Sequence, residues 1–265
     1  MYQGHGTYYT EEHSVSFGDL VTRSSGGHNI VEFDAIANTW TDWHLIPSSR
    51  PAIAHPPFVS KYIEIPGSDN VLDLTDYLSG RANLGQRQGS LGFIVANGFE
   101  DWETIRQRII NTIHGKRIKM MLQDDPDFYY EGRFTVGNWE SGSENSGISL
   151  SYQLDPYKIR IVPEGSDYLK LWDPFNFETD YDYSAFYPNV SVNNETKYYY
   201  IYSEGYSFSP VATWVSGSVT ILFGGVTRTI NSSGSVTLGA ASAGLNTLRV
   251  SGTGSVKVNW RGGML

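Results

Sequence analysis

The sequence predicts a mainly β protein in two parts. Residues 1–157 read as an α+β domain: an antiparallel sheet with one helix near 100–114 and a long hairpin. Residues 158–265 read as a β-sandwich or jelly roll. Three observations carry this. Only one segment repeats its apolar residues at helical spacing. Beyond Tyr157 the chain turns rich in Ser, Thr, Gly, Val and Tyr, the profile of short strands joined by turns. The charge splits at the same place: residues 1–157 hold 11 basic and 20 acidic side chains, whereas residues 158–265 hold eight of each. Asp155-Pro156 and Pro163-Glu164-Gly165 supply turn and linker chemistry for a boundary near 155–165.

In the first part, Ser90–Val95 is a short apolar strand ending at the turn pair Asn97-Gly98. The helix follows over Glu100–His114. Trp102, Ile105, Ile109 and Ile113 form one stripe, widened by Ile110. Glu100, Asp101 and Glu103 suit the positive end of the helix dipole, and Gly115 is the stop. Arg117–Gln123 and Phe128–Trp139 read as a hairpin around the turn Asp124-Asp125-Pro126-Asp127, since Pro fixes φ and Asp bonds local backbone. After a turn at Ser141–Asn145, Ile148, Leu150, Tyr152 and Leu154 alternate on one strand face.

The second part offers strands at Lys197–Tyr202, Val211–Trp214, Val219–Phe223, Val226–Ile230, Ser235–Leu238, Asn246–Val250 and Ser255–Trp260. Gly224-Gly225 has the spacing of a two-residue hairpin loop. Thr247, Arg249 and Ser251 face one way, Leu248 and Val250 the other.

The 265 residues carry a net charge of −9, all of it in the first part, which argues against a general nucleic-acid binder. With no cysteine there are no disulfides, thiolate metal sites or Cys nucleophiles, which suits synthesis in a reducing cytoplasm. The first residues lack the basic start and apolar stretch of a secretory signal. No run of about 18 apolar residues predicts a membrane span.

Catalytic signatures are missing. The six histidines (His5, His13, His28, His44, His55 and His114) form no metal-binding spacing. There is neither a nucleophile elbow nor a phosphate loop. No cofactor is expected. Asp124, Asp125 and Asp127 crowd one turn, and calcium is the sharper alternative to a plain turn there, although the Gly and Glu of an EF-hand loop are absent. Asp173, Glu178, Asp180 and Asp182 alternate with Trp172, Phe175, Phe177, Tyr181 and Tyr183 in a long loop or a contact surface. Arg81, Arg87, Arg117 and Arg133 call for carboxylate partners, within the chain or in a neighbouring subunit.

A run of motifs then resembles one family. Asp42-Trp43-His44-Leu45-Ile46-Pro47-Ser48-Ser49-Arg50-Pro51 is followed by Tyr62-Ile63-Glu64-Ile65-Pro66-Gly67-Ser68-Asp69 and Leu72-Asp73-Leu74-Thr75. Gly80-Arg81, Arg87-Gln88-Gly89-Ser90, Asp101-Trp102-Glu103, His114-Gly115-Lys116-Arg117, Tyr129-Tyr130-Glu131-Gly132-Arg133-Phe134 and Asp155-Pro156-Tyr157-Lys158 come next, in order. Over residues 40–158 this is similar to the distal tail proteins of siphophages. The second part matches loosely, through Gly244-Leu245-Asn246-Thr247 and Trp260-Arg261-Gly262-Gly263.

The resemblance implies a virion protein of the phage tail tip, made in the host bacterial cytoplasm and not an enzyme. It implies a homohexameric ring formed by an N-terminal belt domain, and a C-terminal galectin-like sandwich on the outside. The implied partners are the tail tube protein, the tail-tip hub protein, and receptor-binding or other baseplate proteins. DNA would pass through the lumen without specific binding, and an acidic lumen would repel its phosphates. Arg81, Arg87, Asp124, Asp125, Asp127 and Arg133 are the expected ring-interface or lumen residues. The alternative is a lectin-like module contacting host cell-wall glycan through Trp172, Tyr181, Tyr183 or Trp214. A third reading, a glycosidase, would use two of the clustered acids.

Overall fold

The computed structural model describes residues 7–10, 13–16, 31–34, 36–77, 81–95, 102–141, 146–161, 189–203 and 205–265. The turn at Asn97-Gly98, most of the turn at Ser141–Asn145, the helix-start acids Glu100 and Asp101, Pro163-Glu164-Gly165 and the loop bearing Trp172, Tyr181 and Tyr183 lie outside them. The protein is mainly β, with one α-helix among the described residues. Two compact units are distinguished, Asp19–Lys158 and Ile159–Met264. The second also takes in the hairpin β1 (Thr7–Thr10) and β2 (His13–Ser16).

The first unit contributes β3 (Val31–Phe33), β4 (Ala37–Asn38), β5 (Leu45–Pro47), β6 (Phe58–Val59), β7 (Tyr62–Glu64), β8 (Val71–Asp73), β9 (Asn83–Leu84) and β10 (Arg87–Val95). The helix α1 (Trp102–Ile113), β11 (Arg117–Leu122), β12 (Asp125–Ser141) and β13 (Ser146–Leu154) follow. Its main sheet runs β4-β3-β11-β12-β13-β10-β5, with antiparallel neighbours throughout. The alternation expected in β13 is present: Ile148, Leu150, Tyr152 and Leu154 are buried between exposed Ser149, Ser151 and Gln153.

The helix lies on this sheet through Ile105, Ile109 and Ile113, which join Phe33, Trp43, Phe93 and Phe134 in one core. Phe33 meets the edge of Phe134, their centroids 5.2 Å apart. Trp102 is half-buried, 6.3 Å from the Trp139 ring. Gly115 stops the helix with φ +71°, a left-handed conformation that side-chain-bearing residues resist. Its N–H donates to Phe134 O (2.7 Å), and Arg133 Nη1 donates to Gly115 O (2.8 Å).

One turn falls elsewhere than expected. The β11–β12 hairpin closes on Gln123 and Asp124, with Leu122 paired to Asp125. Asp125, Pro126 and Asp127 belong to the returning strand. The register slips there, Met121 pairing with Tyr129, so Pro126 sits where the ladder is interrupted and its missing N–H costs nothing.

The boundary between the units falls within β14 (Lys158–Arg160), and the second unit holds β15 (Val190–Ser203), β16 (Val211–Phe223), β17 (Val226–Ile230), β18 (Ser235–Thr237), β19 (Gly244–Asn259) and β20 (Gly263–Met264). Its main sheet runs β15-β19-β16-β17, with β18 paired to the first part of β16. The hairpin loop at Gly224-Gly225 is present, both residues at positive φ and Phe223 paired to Val226. Two pairs of expected strands are single strands. Val211–Trp214 and Val219–Phe223 are both β16, and Asn246–Val250 and Ser255–Trp260 both lie largely in β19.

The residues read as breaks are bends within long strands. β15 slips register between Asn193 and Glu195, and β16 between Trp214 and Ser216. Gly217, φ +70°, faces Gly254 beside the second slip. The bend lets both arms of each strand feed one core: Val190 with Ile201, Ala212 with Ile221, Val256 with Leu248. One folded sheet thereby does what two stacked sheets would do.

A Cβ on Gly217 would lie 2.2 Å from Thr253 O, a backbone atom with nowhere to move. Gly217→Val combines that collision with a strained φ and is expected to cost about 2–4 kcal/mol, seen as a lower denaturant midpoint at unchanged m.

Candidate assembly surface

Between β5 and β10 the chain leaves the sheet and returns as an arm. Phe58 pairs with Leu84 and Val59 with Asn83; farther out, Tyr62 pairs with Asp73, Ile63 with Leu72 and Glu64 with Val71. Gly67 (φ +78°) turns the tip, where Ser68 N–H donates to Ile65 O (3.0 Å). Leu74 N–H donates to Lys61 O, and Lys61 N–H to Thr75 Oγ1. Hydrogen bonds from Thr75 hold the Asp73 carboxyl below its ordinary pKa.

The arm's side chains are the unusual feature. Phe58 is 73% exposed and Tyr77 80%, and Val59, Tyr62, Ile63, Ile65, Val71 and Leu72 are exposed as well. Adjacent strand residues point to opposite faces. Exposure of both Tyr62 and Ile63, and of both Val71 and Leu72, therefore makes both faces apolar. A lone two-stranded hairpin is marginal in water, and contiguous exposed apolar surface marks a binding site. Lys61 stands among Glu64, Asp69, Asp73 and Asp76, all exposed, so the arm is acidic between its apolar residues.

Arg87, the first residue of β10, anchors the base. It is 2% exposed. Its Nε donates to Pro156 O (2.8 Å) and its Nη1 to Ala54 O (3.0 Å), and its guanidinium lies 5.5 Å from the Tyr130 ring centroid. Nη2 is buried without a hydrogen-bond partner. Ala54 N–H in turn donates to Tyr152 Oη (2.9 Å). That phenol crosses β10 beside Gly89, where a Cβ would lie 2.3 Å from Oη. The segment leading into the arm and the strand leaving it are thus tied to one buried cation.

The other residues expected at an interface or lumen are spread across the first unit. Arg81 is exposed and donates to Tyr157 Oη (3.1 Å). Arg133 caps the helix. Asp124 pairs with Arg50 and Asp125 with Lys158, each at 2.8 Å, and Asp127 is half-buried. These ion pairs neutralise much of the charge of that turn. The carboxylate partners expected for arginines hold for Arg117, which bonds Glu131 (2.9 Å) and Asp155. Arg87 and Arg133 instead bond backbone carbonyls, and Arg87 has no carboxylate partner among the described residues. No group of three His, Asp or Glu able to hold a metal ion occurs among the described residues.

In the second unit Trp214 is half-buried against the core, and its indole N–H donates to Gly217 O (2.9 Å) across the strand bend. The arm itself escaped sequence reasoning. Its signal was present, adjacent apolar residues in short runs between Pro66, Gly67 and the aspartates, but such runs also describe buried strands.

Arg87→Ala removes two charge-assisted hydrogen bonds. It is expected to cost about 2–4 kcal/mol in thermal unfolding and to speed proteolytic cleavage within residues 58–77. Burial, reinforced by the charge of Asp125, pushes the Tyr130 phenol up to about 12 from an ordinary 10. The folded protein keeps this proton where the unfolded chain loses it. The resulting stabilisation is whole below pH 10 and is lost as pH rises to about 12. Tyr130→Phe should flatten that decline when melting temperatures are compared between pH 8 and pH 11.5.

No protein-family model and no curated protein matches the sequence. Among solved structures the chain is similar to SPP1 Dit (gp 19.1), described as a paradigm of the hub adsorption apparatus in phages infecting Gram-positive bacteria. The TM-score is 0.56 at 14% identity, over 89% of this chain and 99% of that one. This chain therefore has a Dit-like fold.

Proposed function

We propose that this chain is a structural subunit of a phage tail hub. Six copies close into a ring at the distal end of a non-contractile tail. The ring joins the tail tube to the tail-tip hub protein, and the second unit, a galectin-like adaptor, anchors receptor-binding or other baseplate proteins. The role is mechanical, not catalytic, and the protein's place is the virion. The fold shared with SPP1 Dit along nearly the whole of both chains carries this reading.

The arm supplies the physical requirement of such a ring. A closed ring needs a heterologous contact, in which one surface of each copy meets a different surface of the next. A projecting hairpin apolar on both faces, tied at its base by a buried arginine, is suited to reach a neighbour. The acidic excess of residues 1–157 suits a channel that lets DNA pass without binding it. With Asp124 and Asp125 paired within the chain, the arm carboxylates Glu64, Asp69, Asp73 and Asp76 are the stronger candidates to line or flank that channel. Among the described residues no helix is long and apolar enough to cross a membrane.

Light scattering on the full chain is expected to give the mass of six copies, or of two stacked rings. Ile63→Lys with Leu72→Lys, both at exposed positions, should leave a monomer whose melting temperature is unchanged within about 2 °C. Wild-type protein that remains monomeric both alone and with preformed tail tubes would sink the ring.

A further inference from the structure

The second unit carries an aromatic ladder on its solvent side. In β15, Tyr199 and Ile201 turn toward the core, while Tyr198, Tyr200 and Tyr202 point outward, each about half exposed. Alternate residues of an extended strand stand roughly 6.6–6.8 Å apart. The three rings therefore form a straight row. β15 lies at one end of the sheet order β15-β19-β16-β17, so no strand among the described residues pairs with its outer side.

The register fixes what lies beside the row. Tyr198 is opposite Arg249, Tyr200 opposite Thr247, and Tyr202 opposite Leu245. One position toward the bend, Thr196 faces Ser251, which faces Thr220, which faces Thr229. The face is thus rings on one side and, on the other, hydroxyls, one guanidinium, the exposed Leu245 and the half-buried Leu222 beside Arg249, and these rows contain no carboxylate among the described residues. Tyr198 and Tyr200 stack on no other ring among the described residues. Arg249 has neither an ion pair nor a hydrogen bond there. From Gly205 to Leu265 the sequence holds no Asp or Glu, and its charges are Arg228, Arg249, Lys257 and Arg261.

We infer that this face binds a linear, anionic polysaccharide, laid along β15 over Tyr198, Tyr200 and Tyr202 with its charged groups toward Arg249. A tyrosine offers a rigid apolar ring with a polar tip and loses little entropy on contact. Sugar rings present apolar C–H faces to such a ring and hydroxyl edges to Thr and Ser. The straight, shallow row suits a repeating polymer rather than a small molecule in a pocket. The positive charge, with no acid in these rows among the described residues, selects an anionic chain. A protein partner would call for an apolar, desolvated centre. Here the rings are flanked mostly by threonine, serine and arginine, with Leu245 at one end of the row and Leu222 beyond Arg249. The inference does not depend on the ring: it concerns a face of the second unit in any oligomeric state.

The test is affinity electrophoresis of the full chain through gels containing polygalacturonate, a polysialic acid or hyaluronate, with neutral dextran and polyglutamate as controls. At least one anionic polysaccharide should retard the protein, and neither control should. Tyr198→Ala with Tyr200→Ala should weaken that retardation about tenfold or more, with the melting temperature unchanged. Tyr198→Phe should keep it, because the ring remains. Arg249→Gln should weaken it and reduce its salt dependence. No retardation by any of the three polymers would overturn the proposal. Equal retardation by polyglutamate would also overturn it, since charge alone would then suffice. If the tyrosine pair instead alters the mass in solution while retardation is unchanged, the face is a protein contact and the proposal fails.

Discussion

Burying the Arg87 guanidinium with no carboxylate partner among the described residues is the constraint around which the first unit is arranged. A charge removed from water must be compensated locally, and here the compensation is two carbonyl oxygens and an aromatic face. Those carbonyls belong to Ala54 and Pro156, far apart in sequence, so the cation joins three separate stretches of chain. Tyr152 adds a fourth link through Ala54 N–H. The base of the arm is thereby rigid, and the apolar residues beyond it stay in solvent. An arm whose base could shift would bury its own side chains on the nearest apolar surface. Fixing the base keeps them available to a partner.

The second unit meets another geometric demand. Its three long strands must cover a core from two sides without dividing into separate sheets. Register slips near Asn194 and Val215 bend the strands, and Gly217 sits at the tightest approach. Alternation continues through the bend in β19, where Leu248, Val250, Val256 and Val258 all face inward. The same parity that fills the core places Arg249, Thr247 and Leu245 outward, beside the tyrosines of the neighbouring strand. The aromatic face thus follows from the register that builds the core.

Much of the framework was legible because it rests on local chemistry. The helix showed in the spacing of Ile105, Ile109 and Ile113 with Gly115 behind them, and β13 in a strict alternation. The Gly224-Gly225 turn needed only its two glycines. Where glycine served a distant purpose, the same reasoning failed. Gly217 reads as a break, yet it lies inside β16 because another strand passes too close for a Cβ. Pro126 marks the turn only approximately, since an interrupted ladder can hold it as readily as a loop.

The sequence by itself determined the mainly β class, the helix, most strand positions and the confinement of the net negative charge to the first 157 residues, because periodicity, turn chemistry and composition act within a few residues. Only the tertiary structure decided that Ile63 and Leu72 are exposed while Ile105 and Leu150 are buried, and that Arg87 is buried against backbone carbonyls while Arg117 takes two carboxylates. It alone aligned Tyr198 with Arg249. The physical reason is common to all three. Burial, ion pairing and cross-strand register depend on residues such as Arg87 and Ala54, 33 positions apart, or Ala54 and Tyr152, 98 apart, coming into contact, and identical side chains meet opposite environments according to which strand lies beside them.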